Sequence, residues 1–315
     1  MEKYFLSRKN IMIKLEHPNM LFGFLLAFLG TALFSIKSIF IKLAYAQGLN
    51  TDSVLMLRMA ISLPIYLFII IYLLRKNKTP TTRIKQNFLF ILFLGFIGYF
   101  LASWLDLKGL ETLSAGLERL ALFTYPIFIS LLGALFFNTP LSRKIIVTLI
   151  LTYSGLWIVF AQELKVNTMA LEVITGVGFV LLSALSYSFY VLLGKPVIHR
   201  IGSLWFTALA MSASSVFVLL YYAIFFDFSD LLITNQAWLW MVLLAIISTV
   251  IPSFMLSEAI ARIGSAQTSI VGTLGPVITI VLAVFILNEP FNQYHAMGIG
   301  LVITGVMLLV LKNQK

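Results

Sequence analysis

Residues 124–143 read TYPIFISLLGALFFNTPLSR, and residues 274–293 read LGPVITIVLAVFILNEPFNQ. At an offset of 150 residues the two stretches place Pro126 on Pro276, Asn138 on Asn288 and Pro140 on Pro290. The same offset pairs Ser103 with Ser253, Leu151 with Leu301 and Gly155 with Gly305. A weaker match at offset 153 joins GFLLAFLGTALFSIKSIFIK (23–42) to GVGFVLLSALSYSFYVLLGK (176–195) and ends Lys42 on Lys195. Shared greasiness alone does not bring prolines and turn residues into one register, so the chain reads as an internal duplication.

Composition supplies the setting. Of 315 residues, 60% are hydrophobic and 11% charged, against roughly 45–50% apolar and 25% charged in soluble domains. The mean hydropathy is +1.01. Apolar runs of about 20 residues, the length that crosses a hydrocarbon core of about 30 Å, recur along the whole chain. Ten spans are expected: 20–46, 53–74, 88–104, 113–137, 145–161, 173–193, 204–226, 237–259, 266–287 and 294–311. Backbone groups in lipid must be satisfied within their own segment, and the alternation of a barrel is absent, so the spans are helices. The predicted fold is an all-α integral membrane protein. Its ten transmembrane helices form two inverted five-helix repeats (20–161 and 172–312) behind a cytoplasmic segment (1–19). Five is odd, so the second repeat enters the membrane from the opposite side. Inverted repeats of this kind serve secondary transporters that expose a central site alternately to each side.

Loop charge sets the orientation. A cytoplasmic N-terminus puts Lys3, Arg8, Lys9, Lys14, Arg75, Lys76, Lys78, Arg83, Lys85, Arg143, Lys144, Lys195, Arg200, Arg262, Lys312 and Lys315 inside, with only Lys108 and Lys165 in the outer loops. Both termini are then cytoplasmic. The net charge of +10 is mostly this bias and calls for no nucleic acid; an anionic leaflet is the partner it suits. No apolar run with a small-residue cleavage site precedes the first span, so no removed signal peptide is expected. The chain has no cysteine, which excludes disulfides, thiol chemistry and cysteine-ligated metals. No phosphate-binding GxxxxGK[ST], HExxH or GxSxG motif occurs, so ATP hydrolysis on this chain and the common hydrolase chemistries lack their residues. No cofactor is expected. His17, His199 and His295 fall in loops or at span ends and read as solvated.

At this point the sequence resembles the EamA-type transporters of the drug/metabolite transporter superfamily. The prolines of YPIF (125–128) and GPVI (275–278), the NEP at 288–290 and the late glycines of the fifth and tenth spans carry the resemblance. It implies a five-plus-five inverted repeat around a central cavity lined mainly by helices one to four and six to nine. It also implies traffic in amino acids, sugars, nucleotide-linked metabolites or drugs, and export. The chain departs from the pattern at one place: Glu289 supplies the usual acid, but its first-half counterpart is Thr139.

Charge inside the spans points to the site. Lys37, Arg58, Glu118 and Arg119 are all predicted in the outer half of the membrane, Glu118 and Arg119 roughly 8–9 Å below the outer end of helix four. Each charge at depth costs roughly 2.5–3.5 kcal/mol on insertion scales. Neighbours in a helix point about 100° apart, so the partners of Glu118 and Arg119 are expected on other helices. Three cations against one acid leave two positive groups without a counter-ion, and these are expected to hold a carboxylate or phosphate of the solute, with Arg as a bidentate ligand. An interhelical ion network or snorkelling to the interface is the competing role for the same residues. Tyr99, Tyr187 and Tyr190 lie deep enough that their hydroxyls need partners, and are further substrate-binding candidates. Pro126 and Pro276 are expected to kink their helices as paired hinges. The partners implied are a small-molecule solute, membrane lipid and a coupling ion such as the proton, for which Glu118 is the only acid well inside a span. The expected function is secondary transport of small metabolites by alternating access across the inner membrane. An embedded enzyme acting on a lipid or polyprenyl substrate is the alternative, though its acids would be scattered here.

Overall fold

The structure, a computed structural model, describes residues 18–76, 81–137, 143–166, 170–228, 231, 233–272 and 274–310. His17, Asn138, Thr139 and Pro140 lie outside the described residues, as do the basic residues Lys3, Arg8, Lys9, Lys14, Lys78, Lys312 and Lys315 and the side chains of Lys144 and His199.

Among the described residues the chain is helical without a strand. The elements in order are α1 (Pro18–Ser35), α2 (Lys37–Tyr45), α3 (Thr51–Arg75), α4 (Thr81–Gly95), a π-helical turn (Phe96–Leu101), α5 (Ala102–Leu110), α6 (Ala115–Leu122), α7 (Tyr125–Phe137) and α8 (Arg143–Val166). They continue as α9 (Ala170–Ile201), α10 (Ser203–Phe225), α11 (Asn235–Ala245), a second π-helical turn (Ile246–Val250), α12 (Ile251–Gly272), α13 (Leu274–Leu287) and α14 (Gln293–Val310). Among the described residues eight helical stretches are long and apolar enough to cross a membrane. Large side chains such as Leu89, Phe285, Ile224 and Phe68 stand on the outer surface, where a bilayer and not water is the compatible solvent.

Several boundaries differ from the sequence reading. The third span was expected to end at Trp104, yet helix continues through Asp106 to Leu110. Asp106 and Lys108 end a hydropathy window without ending a helix, because both find ion-pair partners. The connection expected near residues 260–265 lies within α12, and α9 runs past Pro196 to Ile201. Gly202, at φ 89°, makes the stop, a backbone angle that favours glycine.

The extensive helix contacts all join elements before residue 167 to elements after it: α8 with α14, α1 with α12, α3 with α10 and α5 with α9, with α6 against α13 a smaller one. Where α8 meets α14 the backbones touch. A Cβ built on Gly155 would stand 2.6 Å from the Gly298 carbonyl oxygen, and one on Gly298 would stand 2.8 Å from that of Gly155. Small residues permit this approach in the absence of a hydrophobic drive between helices. The Gly155→Leu variant is expected to lose about 1–3 kcal/mol by overpacking, read as a lowered thermal midpoint in fluorescence-detected size exclusion. Gly300→Leu, which meets nothing within 4 Å, is expected to leave the midpoint unchanged; equal midpoints for both variants would contradict this packing.

Candidate functional site

Local breaks in the helices deliver the charged side chains. The chain leaves regular helix at Ile36, between α1 and α2. The Ser35 carbonyl oxygen receives the Thr279 hydroxyl of α13 at 2.9 Å, so a backbone group left over by the break is satisfied by a neighbouring helix. The next two residues, Lys37 and Ser38, are buried. Ser114 caps α6 by accepting the N–H of Leu117, and Glu118 and Arg119 follow one turn later.

There the network closes. The Lys37 ammonium donates to Asp106 Oδ2 of α5. Arg119 Nη2 donates to Ser38 Oγ at 2.7 Å, and Ser38 Oγ donates to Glu118 Oε2 at 2.7 Å. As the helix geometry requires, the adjacent Glu118 and Arg119 are poor direct partners: Arg119 Nε and Glu118 Oε2 stand 4.0 Å apart, and Ser38 of another helix bridges them. The Phe34 ring lies beneath both cations, 5.6 Å from Lys37 Nζ and 5.5 Å from the Arg119 guanidinium carbon, within cation–π range. Relative exposure is 5% at Lys37, 2% at Asp106, 0% at Glu118 and 3% at Arg119.

Asp106 corrects the expected balance of charge. The sequence reading set three cations against Glu118 alone because it ended the third span at Trp104. With Asp106 inside the bundle, two acids face three cations, and the surplus falls from two to one. Lys37 is the cation so neutralised. Arg58, on α3 and 3% exposed, keeps Nε and Nη2 buried without a hydrogen-bond partner.

Lys37, Arg58, Asp106 and Arg119 line a cavity of about 320 Å³ together with Tyr99, Tyr187 and Tyr190. Glu118 stands behind this lining. The rings form a contiguous group: Tyr99 meets Tyr190 edge-on at 5.0 Å, Tyr187 stacks on Tyr190 at 5.7 Å, and Tyr190 stacks on Phe206 at 5.5 Å. Tyr125, which the sequence reading left unassigned, completes it against Tyr187 at 5.4 Å. A Cβ on Gly98 would strike the Tyr190 ring, so its missing side chain shapes the cavity wall. The π-helical turn beside it exposes backbone carbonyls, and α9 satisfies those on this wall: Ser186 Oγ donates to the Ile97 oxygen at 2.7 Å and Ser183 Oγ to the Ala102 oxygen at 2.6 Å. Along α9 the lining runs from Ser183 to Ile198, about 22 Å of helix. Charge sits towards one end of this path and aromatic surface along it.

The cavity end nearest the charges is tied down. Glu289 accepts the N–H groups of Ala115 at 2.7 Å and Gly116 at 3.3 Å, at the start of α6. Ser114 donates to Glu163. The Thr51 N–H reaches Glu111 Oε1 at 3.1 Å, and Lys108 pairs with Glu111 Oε2 at 2.7 Å. Partial burial opposes ionisation of Glu111, but these donors outweigh it and hold the carboxyl below its usual range. Pro126 is not the mid-helix kink expected: it is the second residue of α7, in a first turn where a missing N–H leaves no bond unmade. Pro276 lies in α13, three residues after residue 273, which is outside the described residues. His295 sits at the start of α14, its ring nitrogen 2.9 Å from Asn292 Oδ1, a local cap away from the cavity. Among the described residues no group of three or more acids or histidines could hold a metal ion.

A bundle apolar outside, with a charged and aromatic chamber inside, is that of a multi-pass membrane protein that handles small solutes. The chain belongs to the EamA-like transporter family, whose profile matches residues 21–161 and 174–311. It is 29% identical over 93% of its length to a Bacillus subtilis protein named uncharacterized transporter YcbK, covering 95% of that protein. It is 26% identical over 70% of its length to a Synechocystis protein named uncharacterized transporter sll1319, covering 64% of it. A solved crystal structure matches 93% of this chain and 99% of its own with a TM-score of 0.67 at 16% identity, a likeness of fold. The protein is therefore a membrane transporter of small solutes.

The ion pair can be tested without knowing the solute. Asp106→Asn strands a buried ammonium and is expected to lower stability by about 3–5 kcal/mol, while replacing both partners, Lys37→Met with Asp106→Leu, recovers most of it. Thermal unfolding of the purified protein reads both; an Asp106→Asn variant as stable as the parent would refute the pairing.

Proposed function

We propose that the chain is a ten-helix secondary transporter of carboxylate- or phosphate-bearing metabolites that works by alternating access, with no chemistry of its own. The observation that carries the substrate class is Arg58: a guanidinium buried on the cavity wall, two of its nitrogens without partners. A buried unpaired donor is costly, and a planar fork left open in a cavity suits a bidentate anion. The tyrosines give the remainder of such a solute an amphipathic wall.

The helix contacts support two inverted repeats over 20–161 and 172–312. If each span in one half corresponds to the span five later, the pairs α3 with α10, α6 with α13 and α8 with α14 map onto themselves, while α1 with α12 and α5 with α9 exchange. A two-fold axis in the membrane plane demands that pattern. The two π-helical turns begin at Phe96 and Ile246, at the offset of 150 read from the sequence, and Pro126 and Pro276 stand at the same offset. Interrupted helices at membrane depth line cavities in transporters, and these breaks, with Pro126 and Pro276 beside them, are the hinges of the reading.

Basic loops favour a cytoplasmic position for both termini in an inner membrane, which makes the Glu289–α6 end the outer one. The cavity path along α9 towards Ile198 then leads to the cytoplasm, as in an inward-facing state closed outside. Export is favoured by the family resemblance, and the names of the relatives favour transport over an embedded enzyme.

Purified protein in proteoliposomes, screened with labelled amino acids, organic anions and sugar phosphates, is expected to give saturable flux of an acidic solute. Arg58→Gln is expected to raise its half-saturation concentration roughly ten- to a hundredfold, the equivalent of about 1.5–3 kcal/mol for a charged hydrogen bond; Lys76→Gln, at the end of α3, is expected to change nothing. Saturable flux that Arg58→Gln leaves untouched would remove the anion site, and no flux across the panel would favour the membrane enzyme.

A further inference from the structure

We infer that Arg83 of α4 and Arg200 of α9 form a binding site for the headgroup phosphate of an anionic phospholipid, at the end of the bundle where the cavity path along α9 runs out. Both arginines stand where their helices leave the hydrocarbon. The apolar spans are Thr82–Leu110 and Ala170–Ile198, so Arg83 is the second residue of one and Arg200 lies just past the end of the other. A ring of hydrogen bonds holds the two side chains together. Arg83 Nη1 donates to the Arg200 carbonyl oxygen at 3.2 Å, the Asn87 amide donates to the Arg83 carbonyl oxygen at 2.7 Å, and Asn87 Oδ1 accepts Arg200 Nη1 at 3.4 Å.

Two guanidinium groups fixed beside each other disfavour one another unless an anion lies with them. The chain brings none here. Among the described residues neither arginine forms an ion pair, and TPTTRIKQN (79–87) and KPVIHRIGS (195–203) contain no acid. A guanidinium carries five N–H donors, and each of these uses one within the protein. The others face outward on exposed residues, in the planar fork that suits phosphate oxygens. Below the charge the same helix is apolar. Phe90 and Phe93, seven and ten residues on, return to the Arg83 side of α4, about 10 and 15 Å further along it. Their rings stack with centroids 6.3 Å apart and are 39% and 49% exposed. Phosphate-binding groups at the membrane surface and an open aromatic stripe beneath them fit an amphiphile better than a soluble anion. A zwitterionic lipid would bring its own cation to the arginines, whereas an anionic one adds net negative charge to a basic surface. Arg200 closely follows Ile198, which lines the cavity, so the bound lipid ties α4 to α9 where that path ends. The site stands independently of the solute and of which leaflet faces the cytoplasm.

Purified full-length protein in neutral detergent, titrated with phosphatidylglycerol, is expected to show a saturable rise in thermal midpoint that phosphatidylcholine does not give, since a ligand held only by the folded state stabilises it. The double variant Arg83→Gln with Arg200→Gln is expected to need a roughly ten- to thirtyfold higher concentration of phosphatidylglycerol for the same rise, the loss of two cationic contacts at a lipid surface. Lys165→Gln, an exposed cation near the end of α8, is expected to respond as the parent does. Equal responses to the two lipids in the parent, or equal responses to phosphatidylglycerol in the parent and the double variant, overturn the proposal. Inorganic phosphate is expected to leave the midpoint unmoved; a phosphate response that the double variant loses would make the pair a site for soluble anions and overturn the lipid assignment. Native mass spectrometry decides the matter where the double variant is unstable. The parent is expected to retain one phosphatidylglycerol per chain from an equimolar mixture with phosphatidylcholine, and Arg200→Gln alone to retain less. Equal retention of the two lipids by the parent, or an unchanged preference in Arg200→Gln, overturns the site.

Discussion

The Lys37 ammonium and the Asp106 carboxylate meet inside a bundle whose surface is fit only for lipid, and neither can be moved without stranding the other. Desolvation of a lone charge there costs several kcal/mol, which only a partner with good geometry offsets. That requirement fixes which helices must touch. Lys37 binds α2 to α5, and Ser38 joins α2 to both Glu118 and Arg119 of α6. Charge thus holds α2 in one register against α5 and α6, which come much later in the chain, while the apolar contacts around them, at Leu107, Leu110 and Leu117, would tolerate sliding.

Charge at this depth is possible because the helices are imperfect. A continuous α-helix hides its own carbonyls and carries its side chains past the cavity at a fixed pitch. The stop at Ile36, the π-helical turn at Phe96–Leu101 and the break after Leu122 each change that pitch and release backbone groups. Hydroxyls from neighbouring helices, Thr279, Ser183 and Ser186, take up carbonyls at or beside two of these sites. Pro126 begins a new helical segment for the same reason: placed in a first turn, it removes a donor that had no acceptor. Irregular backbone and the charged site are in this sense one construction.

Much of this was legible in the sequence, because hydropathy reports membrane helices directly and lone charges within them stand out. Lys37, Arg58, Glu118, Arg119 and the three tyrosines were all visible as anomalies, and the structure gathers them at one chamber. Asp106 was not, since a window of apolar residues ends wherever polar residues begin, and WLDLKGLE (104–111) looks like a loop even though helix continues as far as Leu110. Only pairing across helices reveals that the aspartate is buried, and one sequence carries no trace of pairing. Tyr125 and Gly98 were hidden differently: each has an innocent role, beside a proline or in helix packing, until Tyr125 is seen to meet the Tyr187 ring and Gly98 to leave room for that of Tyr190. The offset of 150 held a clue in this direction, for the π-helical turns at 96 and 246 begin in that register.

The unequal turns of the two halves bear on how the protein moves. Glu289 closes its own turn onto the start of α6, where two N–H groups and the positive end of the helix dipole receive a full negative charge, an arrangement worth about 0.3–1 kcal/mol on exposed helices and up to ~2 when partly buried. The aligned residue in the first half is Thr139, which can cap a helix but brings no charge. In the alternating-access cycle proposed above, this charged contact would favour the state in which the Glu289 end is shut. The helix held by this latch is the one that carries Glu118 and Arg119, three and four residues beyond Ala115. In that cycle, contacts made by Arg119 in the cavity and closure by Glu289 would act on the same short helix.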